Sequence, residues 1–174
     1  MANWSDTQIK LTGEQTKEAL KFIKEHMEDI FLNAEAFKED DSLQSRVDFG
    51  TMEIHDISES EGVLEISGSG RWNAPSGFFN VVAEKFKLSG HFFDRECGCD
   101  FSHLIKWENG LVINDIEEDY FSQLAFDWVD IDCLIEDRSF IAEEENWEEE
   151  YKEDIELFAQ NGISLEDLKE RWGV

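Results

Sequence analysis

The chain has 174 residues, of which 42 are acidic and 15 are basic, so its formal net charge is −27. Hydrophobic residues make up 41% and aromatic residues 13% of the sequence, which argues against an intrinsically disordered chain and indicates one domain with appendages. Proteins that bind nucleic acids or anionic membranes directly neutralise phosphates with Lys and Arg, so the charge argues against both ligands.

The first segment, residues 1–44, is predicted to be helical. Its opening letters, MANWSDTQIK, lack a basic stretch followed by an apolar one, so no secretory signal is expected. Thr12 is a candidate N-cap with Gln15 three residues later, and an apolar stripe at helical spacing follows. The stripe predicts one helix over residues 12–37 and consists of Ala19, Leu20, Phe22, Ile23, Met27, Ile30 and Phe31.

Residues 45–116 are predicted to form an α+β core that begins with two strands. A loop near residues 58–62, with Glu61-Gly62 as its turn signal, joins the strands. Their alternating apolar residues are Val47, Phe49, Ile54, Leu64 and Ile66. Pro75 suits the first turn of a helix, and the apolar residues after it predict a helix over about residues 75–87.

Three further strands complete the predicted core. Residues 89–96 form the first, and residues 100–107 alternate in polarity and form the second. Asn109-Gly110 follows and is the strongest short hairpin signal in the chain. Residues 111–116 then form the returning strand.

Residues 117–174 are predicted to form an acidic helical C-terminal segment. A helix begins soon after residue 117, and a second helix covers residues 143–159 and ends at Asn161-Gly162. Ser164 caps a last short helix, with Asp167 at the capping-box position.

Part of the core resembles a known family of small proteins. The first motif is GRWNAP, residues 70–75, which ends at Pro75 just before an apolar helix. The second motif begins with Cys99-Asp100-Phe101 and continues through Trp107 to Asn109-Gly110. Over residues 63–110 this pattern resembles the YubB-type ferredoxin-like family carried by plasmids, phages and other mobile elements. The resemblance implies a ferredoxin-like antiparallel sheet with packed helices, no catalytic residues, and a protein that acts inside a bacterial cell.

The negative charge is concentrated between residues 117 and 156. This block has 17 acidic residues against two basic ones, a net −15, which is more than half of the total. Its densest part, residues 143–156, has nine acidic residues and one basic residue. As one straight helix this part would carry a net charge every ~2.6 Å, at about 1.5 Å per residue. That spacing lies between the values of about 1.7 Å for duplex DNA and about 3.4 Å for a single strand.

Two interpretations of this block stay open. In the first it is a solvated acidic helix, and in the second it is a decoy that occupies a Lys- and Arg-lined groove of a nucleic-acid-binding protein. Trp147 begins a stripe with Tyr151, Ile155 and Phe158 that points to a core or an interface. The predicted partner-binding residues are Glu143, Glu144, Glu145, Trp147, Glu148, Glu149, Glu150, Glu153 and Asp154.

The sequence offers little for metal binding or catalysis. Cys97, Cys99, His91 and His103 lie within 13 residues, but structural zinc sites usually need pairs of the form C-x2–4-C. With Cys133 the cysteines number three, an odd count that argues against a disulfide scaffold and fits a reducing cytoplasm. No P-loop, nucleophile elbow or dinucleotide-binding fingerprint occurs, and the histidines lack evident Ser or Cys partners. We therefore expect no enzyme activity, no cofactor and no bound metal.

The sequence thus predicts a non-enzymatic, acidic interaction protein of a mobile element. It would act as a DNA mimic and inhibit a host nucleic-acid-binding defence protein, in the manner of an anti-restriction or anti-CRISPR protein. The expected partner is a basic nucleic-acid-binding protein. We expect this chain to act in the bacterial cytoplasm, because no apolar stretch approaches the ~20 residues of a membrane span. The alternatives are a generic acidic accessory protein and a small metal-binding protein or enzyme.

Overall fold

The computed structural model describes residues 4–38, 42, 45, 48–71, 73–96, 101–143 and 146–174, and of Phe140 and Glu143 it describes only the backbone. Contacts within the chain divide it into two units, Met1–Tyr120 and Phe121–Val174. Two residues named in the sequence predictions lie outside the described residues, namely Val47 and Trp72.

The first unit combines one sheet with α-helices, two of which have bounds within the described residues. Its strands are β1 (Asp6–Thr12), β2 (Met27–Glu28), β3 (Phe31–Asn33), β4 (Thr51–Ser60), β5 (Val63–Gly70), β6 (Ser89–Glu96), β7 (Phe101–Glu108) and β8 (Leu111–Glu118). Helix α1 (Thr16–Glu25) follows β1, a 3-10 turn (Glu35–Phe37) follows β3, and helix α2 (Ser76–Phe86) lies between β5 and β6.

The eight strands form one antiparallel sheet in the order β2-β3-β4-β5-β1-β6-β7-β8. Strand β1 is central, with Ile9 opposite Ile66 of β5 and Phe92 of β6. The predicted α+β class is therefore confirmed. A ferredoxin-like fold is not confirmed, because the sheet is larger than a ferredoxin-like sheet.

One face of the sheet is apolar because alternate residues of its strands are apolar. In β1, Ile9 and Leu11 are buried whereas Gln8 and Lys10 are exposed. The two helices cover this face with their own buried residues, which are Ala19 and Ile23 in α1 and Phe78, Phe79, Val82 and Ala83 in α2. The rings of Phe22 and Phe78 stack at 6.0 Å and join the helices.

The predicted helix over residues 12–37 is wrong at both ends. Thr12 ends β1 rather than capping a helix, and α1 stops at Glu25. The Nδ1 atom of His26 lies 2.8 Å from the carbonyl oxygen of Phe22, and Asp29 has a φ of 56° that turns the chain between β2 and β3. Beyond the helix, Met27 and Phe31 match a helical period but belong to the short strands β2 and β3, and Ile30 lies in the turn between them.

The predicted turns and the middle elements are confirmed. Glu61 and Gly62 have φ values of 52° and 81°, and Asn109 and Gly110 have values of 49° and 81°. Two consecutive residues with positive φ form the tight turn that matches the twist of antiparallel strands. These turns join β4 to β5 and β7 to β8, and α2 and β6 occupy the predicted ranges.

The second unit is helical. Its helices are α3 (Gln123–Trp128), α4 (Ile131–Asp137), α5 (Trp147–Glu150), α6 (Lys152–Gln160) and α7 (Leu165–Trp172), with a 3-10 segment at Ser139–Glu143. The predicted capping box of α7 is confirmed, since the Ser164 and Asp167 side chains each accept a backbone N–H of the other residue. Among the described helices of the chain, none is both long enough and apolar enough to cross a membrane.

Candidate functional site: the acidic surface of the C-terminal unit

A small aromatic core holds the C-terminal unit together. Phe158 of α6 is fully buried, and its ring centroid lies 5.0 Å from Phe121, 5.3 Å from Phe126 and 6.2 Å from Trp172. Trp147 of α5 packs edge-on against Trp172 at 5.4 Å. The stripe predicted from Trp147 to Phe158 therefore has both of its ends in the interior of the unit.

The surface around this core is acidic. Residues 121–174 contain 17 acidic residues and four basic ones, a net charge of −13. Of the 14 acidic side chains that the structure describes here, 13 are exposed and Asp154 is partly buried. The exposed carboxylates form what we call the acidic surface, and they belong to Asp127, Asp130, Asp132, Glu136, Asp137, Glu148, Glu149, Glu150, Glu153, Glu156, Glu166, Asp167 and Glu170.

Each of the four bases of this unit lies against a carboxylate of the same unit. The ion pairs are Arg138–Asp154 at 3.4 Å, Lys152–Glu156 at 3.5 Å, Lys169–Glu148 at 2.6 Å and Arg171–Asp132. Two of them join different helices, a third joins the residue after α4 to α6, and the exposed pair within α6 contributes little to stability. Within the described part of the unit, no ion pair involves Glu149, Glu150 or Glu153, so these carboxylates carry uncompensated charge.

The predicted partner-binding residues are distributed unevenly over this surface. Glu148, Glu149, Glu150 and Glu153 are exposed, whereas Asp154 is partly covered at its pair with Arg138.

Trp147 is only 8% exposed, so a partner would contact the carboxylates around its ring rather than the ring itself. Glu144, Glu145 and the side chain of Glu143 lie outside the described residues.

The predicted single helix over residues 143–159 is wrong. Asn146 has a left-handed φ of 70°, and the helical geometry breaks at Tyr151, with φ −106° and ψ 33°. Like charges three or four residues apart, such as Glu149 and Glu153, destabilise a continuous helix by a few tenths of a kcal/mol per pair. The charges therefore do not follow one straight axis, and the acidic surface is built from several helices instead.

A serine lies beside His55, contrary to the expectation that the histidines lack such partners. The Nε2 atom of His55 is 3.1 Å from Ser69 Oγ and 4.0 Å from Glu53 Oε1. A catalytic triad uses one ring nitrogen for the serine and the other for the acid, whereas both groups here approach the same nitrogen. His55 also sits at the irregularity between Ile54 and Asp56 where β4 changes register against β5. This cluster therefore fits a strand irregularity better than a nucleophile.

Asp94 of β6 is a buried carboxyl in the first unit. Burial raises the pKa of Asp94 to about 6, although hydrogen bonds from the Ala74 N–H and the Thr7 hydroxyl oppose this change. These bonds are 2.8 Å and 2.7 Å long. The side chain has no exposed surface, so no substrate reaches it. Asp94 instead ties β1 and the segment before α2 to β6.

A row of three bases crosses the sheet face opposite the core. Lys10, His91 and Lys106 are direct register partners on β1, β6 and β7, and burial, then the two lysines, lower the pKa of His91. A cavity of about 240 Å³ adjoins the row, but Asp56 and Glu65 also line it. Its mixed charge selects for neither anions nor cations. The sequence prediction missed this row because β1 was not recognised, although its alternating polarity was the available signal.

Metal-binding groups are not clustered in the described part of the chain. There, no set of three or more His, Cys, Asp or Glu side chains is placed to hold an ion. Cys97 and Cys99 lie outside the described residues, and the Nε2 atom of His103 lies 2.8 Å from Asp115 Oδ1. Cys133 is a free, exposed thiol.

No protein-family model, curated protein or solved structure matches this chain. The resemblance of residues 63–110 to the YubB-type family therefore stays a prediction.

Proposed function

We propose that this protein is a non-enzymatic interaction protein that uses the acidic surface of residues 121–174 to occupy the cationic nucleic-acid site of another protein. The observation that carries the proposal is that all four bases of the unit are paired within it. The 14 acidic and four basic side chains described in this unit give a net charge of −10, which exposed carboxylates therefore present. A groove lined with Lys and Arg is attracted to ordered carboxylates as it is to phosphates.

The ion pairs between helices support the proposal because they connect the helices that carry the carboxylates. Lys169 joins α7 to Glu148 of α5, and Arg171 joins α7 to Asp132 of α4. A surface that is ordered before binding loses less conformational entropy when it meets its partner than a flexible acidic tail does. The folded unit is thus better suited to a specific cationic groove than an equally charged disordered segment.

The same proposal covers the partner and its setting. The partner is a basic nucleic-acid-binding protein of a bacterial defence system, such as a restriction or CRISPR nuclease, and the protein acts as a DNA mimic in the bacterial cytoplasm. A mobile-element origin follows from the resemblance of residues 63–110 to the YubB-type family. The ferredoxin-like part of the resemblance is supported by the order β6-β1-β5-β4 at the centre of the sheet, with a helix after β1 and another after β5.

Displacement of labelled duplex DNA from a panel of purified restriction and CRISPR nucleases tests the proposal. We expect the protein to compete with the duplex for at least one nuclease, and the competition to weaken as salt rises from about 50 to about 500 mM, because screening shortens the range of electrostatic attraction. The triple variant Glu149→Lys, Glu150→Lys, Glu153→Lys should displace DNA at least ~10-fold less effectively, since opposed charges then become like charges.

The control variant changes the net charge by the same amount on the first unit. Glu14→Lys, Glu18→Lys and Glu35→Lys replace exposed acids there, and this variant should retain most of the competition. Equal losses in both variants would mean that only total charge matters. An absence of displacement across the panel, or displacement that is insensitive to salt, would refute nucleic-acid mimicry.

A further inference from the structure

The two edge strands of the sheet differ in length. One edge is β2, which has only two residues, whereas the other is β8, which has eight. Natural proteins protect sheet edges by keeping them short, charged or covered, because an open edge presents unpaired N–H and C=O groups to other chains. Within the described residues no strand pairs with the outer side of β8, so this edge is long and open.

The first half of β8 is also apolar. Leu111, Val112 and Ile113 are 65%, 48% and 60% exposed. The three side chains therefore expose apolar surface at the start of this edge strand. Exposed apolar side chains on an open edge favour the addition of another strand.

The second half of β8 is acidic. Asp115, Glu117 and Glu118 are exposed, and the Oδ1 atom of Asp115 is held 2.8 Å from the His103 ring. A second copy of this chain carries the same total charge of −27, and repulsion between two such copies opposes their approach. The edge therefore discourages self-association and favours a cationic strand.

The edge is anchored at the hairpin. The Gly110 N–H donates to the Leu88 carbonyl oxygen at 2.7 Å, and the Asn109 N–H donates to Ser89 Oγ at 2.9 Å. The register changes once, where Trp107 lies opposite Val112 and Lys106 opposite Asn114, so that Ile113 is an extra residue of β8, and it then runs regularly to Glu118. A strand held in this way needs little ordering before another strand pairs with it.

We infer that the outer edge of β8 binds an extended, cationic segment of a partner protein by strand addition, with apolar contacts at Leu111–Ile113 and acid–base contacts at Asp115–Glu118. This inference deepens the proposed function, on which it rests for the positive charge of the partner. It assigns to the first unit a contact that is separate from the acidic surface.

The test uses a designed nine-residue peptide of alternating Lys and Val or Thr, with blocked ends, and the full-length protein. Fluorescence anisotropy should show that this peptide binds at least ~10-fold more tightly than the same peptide with Glu in place of Lys. A version with Pro at alternate positions should not bind, because Pro cannot donate hydrogen bonds to a strand. Backbone amides of β8 that face away from β7 should become protected from hydrogen exchange when the Lys peptide is present.

Two matched variants locate the contact. Leu111→Thr with Ile113→Thr keeps β-forming residues but removes apolar contacts, and it should weaken the peptide about 10-fold. Ile30→Thr with Phe31→Thr removes side chains that are 42% and 46% exposed near the other sheet edge, and it should leave binding unchanged.

Three outcomes would overturn the inference: equal effects of the two variants, protection of residues 121–174 instead of β8, and dimerisation of the free protein through β8. None of them would refute DNA displacement by the acidic surface. A failure of strand addition is therefore distinguishable from a failure of the proposed function.

Discussion

Replacing Asp94 by Asn should make the protein more stable at neutral pH, although it removes a buried and fully bonded carboxylate. Burial raises the pKa of Asp94 from 3.8 to about 6, so the folded protein holds this proton more tightly than the unfolded chain does. The stabilising effect of the proton is fully present below about pH 3.8 and is lost as pH rises through about pH 6. At 1.36 kcal/mol per pKa unit, ionised Asp94 costs about 3 kcal/mol of folding free energy.

The amide introduced by Asp94→Asn would avoid this cost while keeping one oxygen for the Ala74 N–H. Its NH2 group would face the Thr7 hydroxyl, which can turn and accept a hydrogen bond. Allowing about 1 kcal/mol for a less favourable hydrogen bond, we expect the substitution to raise the free energy of unfolding by about 1–2 kcal/mol at pH 8. At pH 4 the two proteins should be nearly equal in stability.

Urea unfolding of both proteins from pH 4 to pH 8 measures this difference. The other carboxylates titrate in the same range, but their effects are shared and cancel when the two free energies are subtracted. NMR titration of the Asp94 carboxyl carbon should show a midpoint about 2 pH units above that of an exposed Asp. A stability difference that is the same at pH 4 and pH 8 would refute the reasoning. Asp94→Ala, which leaves the Ala74 N–H and Thr7 without their acceptor, should be destabilising throughout.

Two further predictions concern the turns and the C-terminal core. Gly110 and Gly162 have φ values of 81° and 89°, but a Cβ at Gly110 would lie 2.8 Å from the Ala83 carbonyl oxygen whereas one at Gly162 meets nothing within 4 Å. Thermal unfolding should therefore show that Gly162→Ala lowers the free energy of unfolding by about 1–2 kcal/mol. Gly110→Ala should lower it by roughly 1–3 kcal/mol more, and equal losses in the two variants would contradict the steric argument. Phe158→Ala should cost about 3–5 kcal/mol and remove near-ultraviolet circular dichroism from the aromatic core, and a cost below about 1 kcal/mol would show that the ring is not packed as described.

The elements that were predicted well are those with local signals. Asn109-Gly110 and Glu61-Gly62 need positive φ, which few residue pairs adopt readily, so each hairpin is specified by its own turn. The helix after Pro75 and the cap at Ser164 are likewise encoded within a few neighbouring residues.

The elements that were missed depend on distant partners. Strand β1 is seven residues long and becomes the centre of the sheet only because it pairs with β5 and β6. The residues of β2 and β3 fit a helical period, and only their pairing with β4 excludes a helix. For the acidic surface, the sequence showed the charge but not its arrangement. The break at Tyr151 and the pairing of every base of the unit are tertiary effects.

An acidic protein could displace nucleic acid in two ways, and the arrangement of the carboxylates distinguishes them. A polyanion competes through charge alone, so its effect survives unfolding, whereas a mimic depends on where the fold places its carboxylates. Phe158→Ala changes no charge, yet it removes a ring that contacts Phe121, Phe126 and Trp172. If the acidic surface is a mimic, this variant should lose DNA displacement at temperatures where its C-terminal unit is unfolded and recover it on cooling. Displacement that persists in the unfolded variant would show that the charge acts without the fold, and the ion pairs between helices would then serve stability alone.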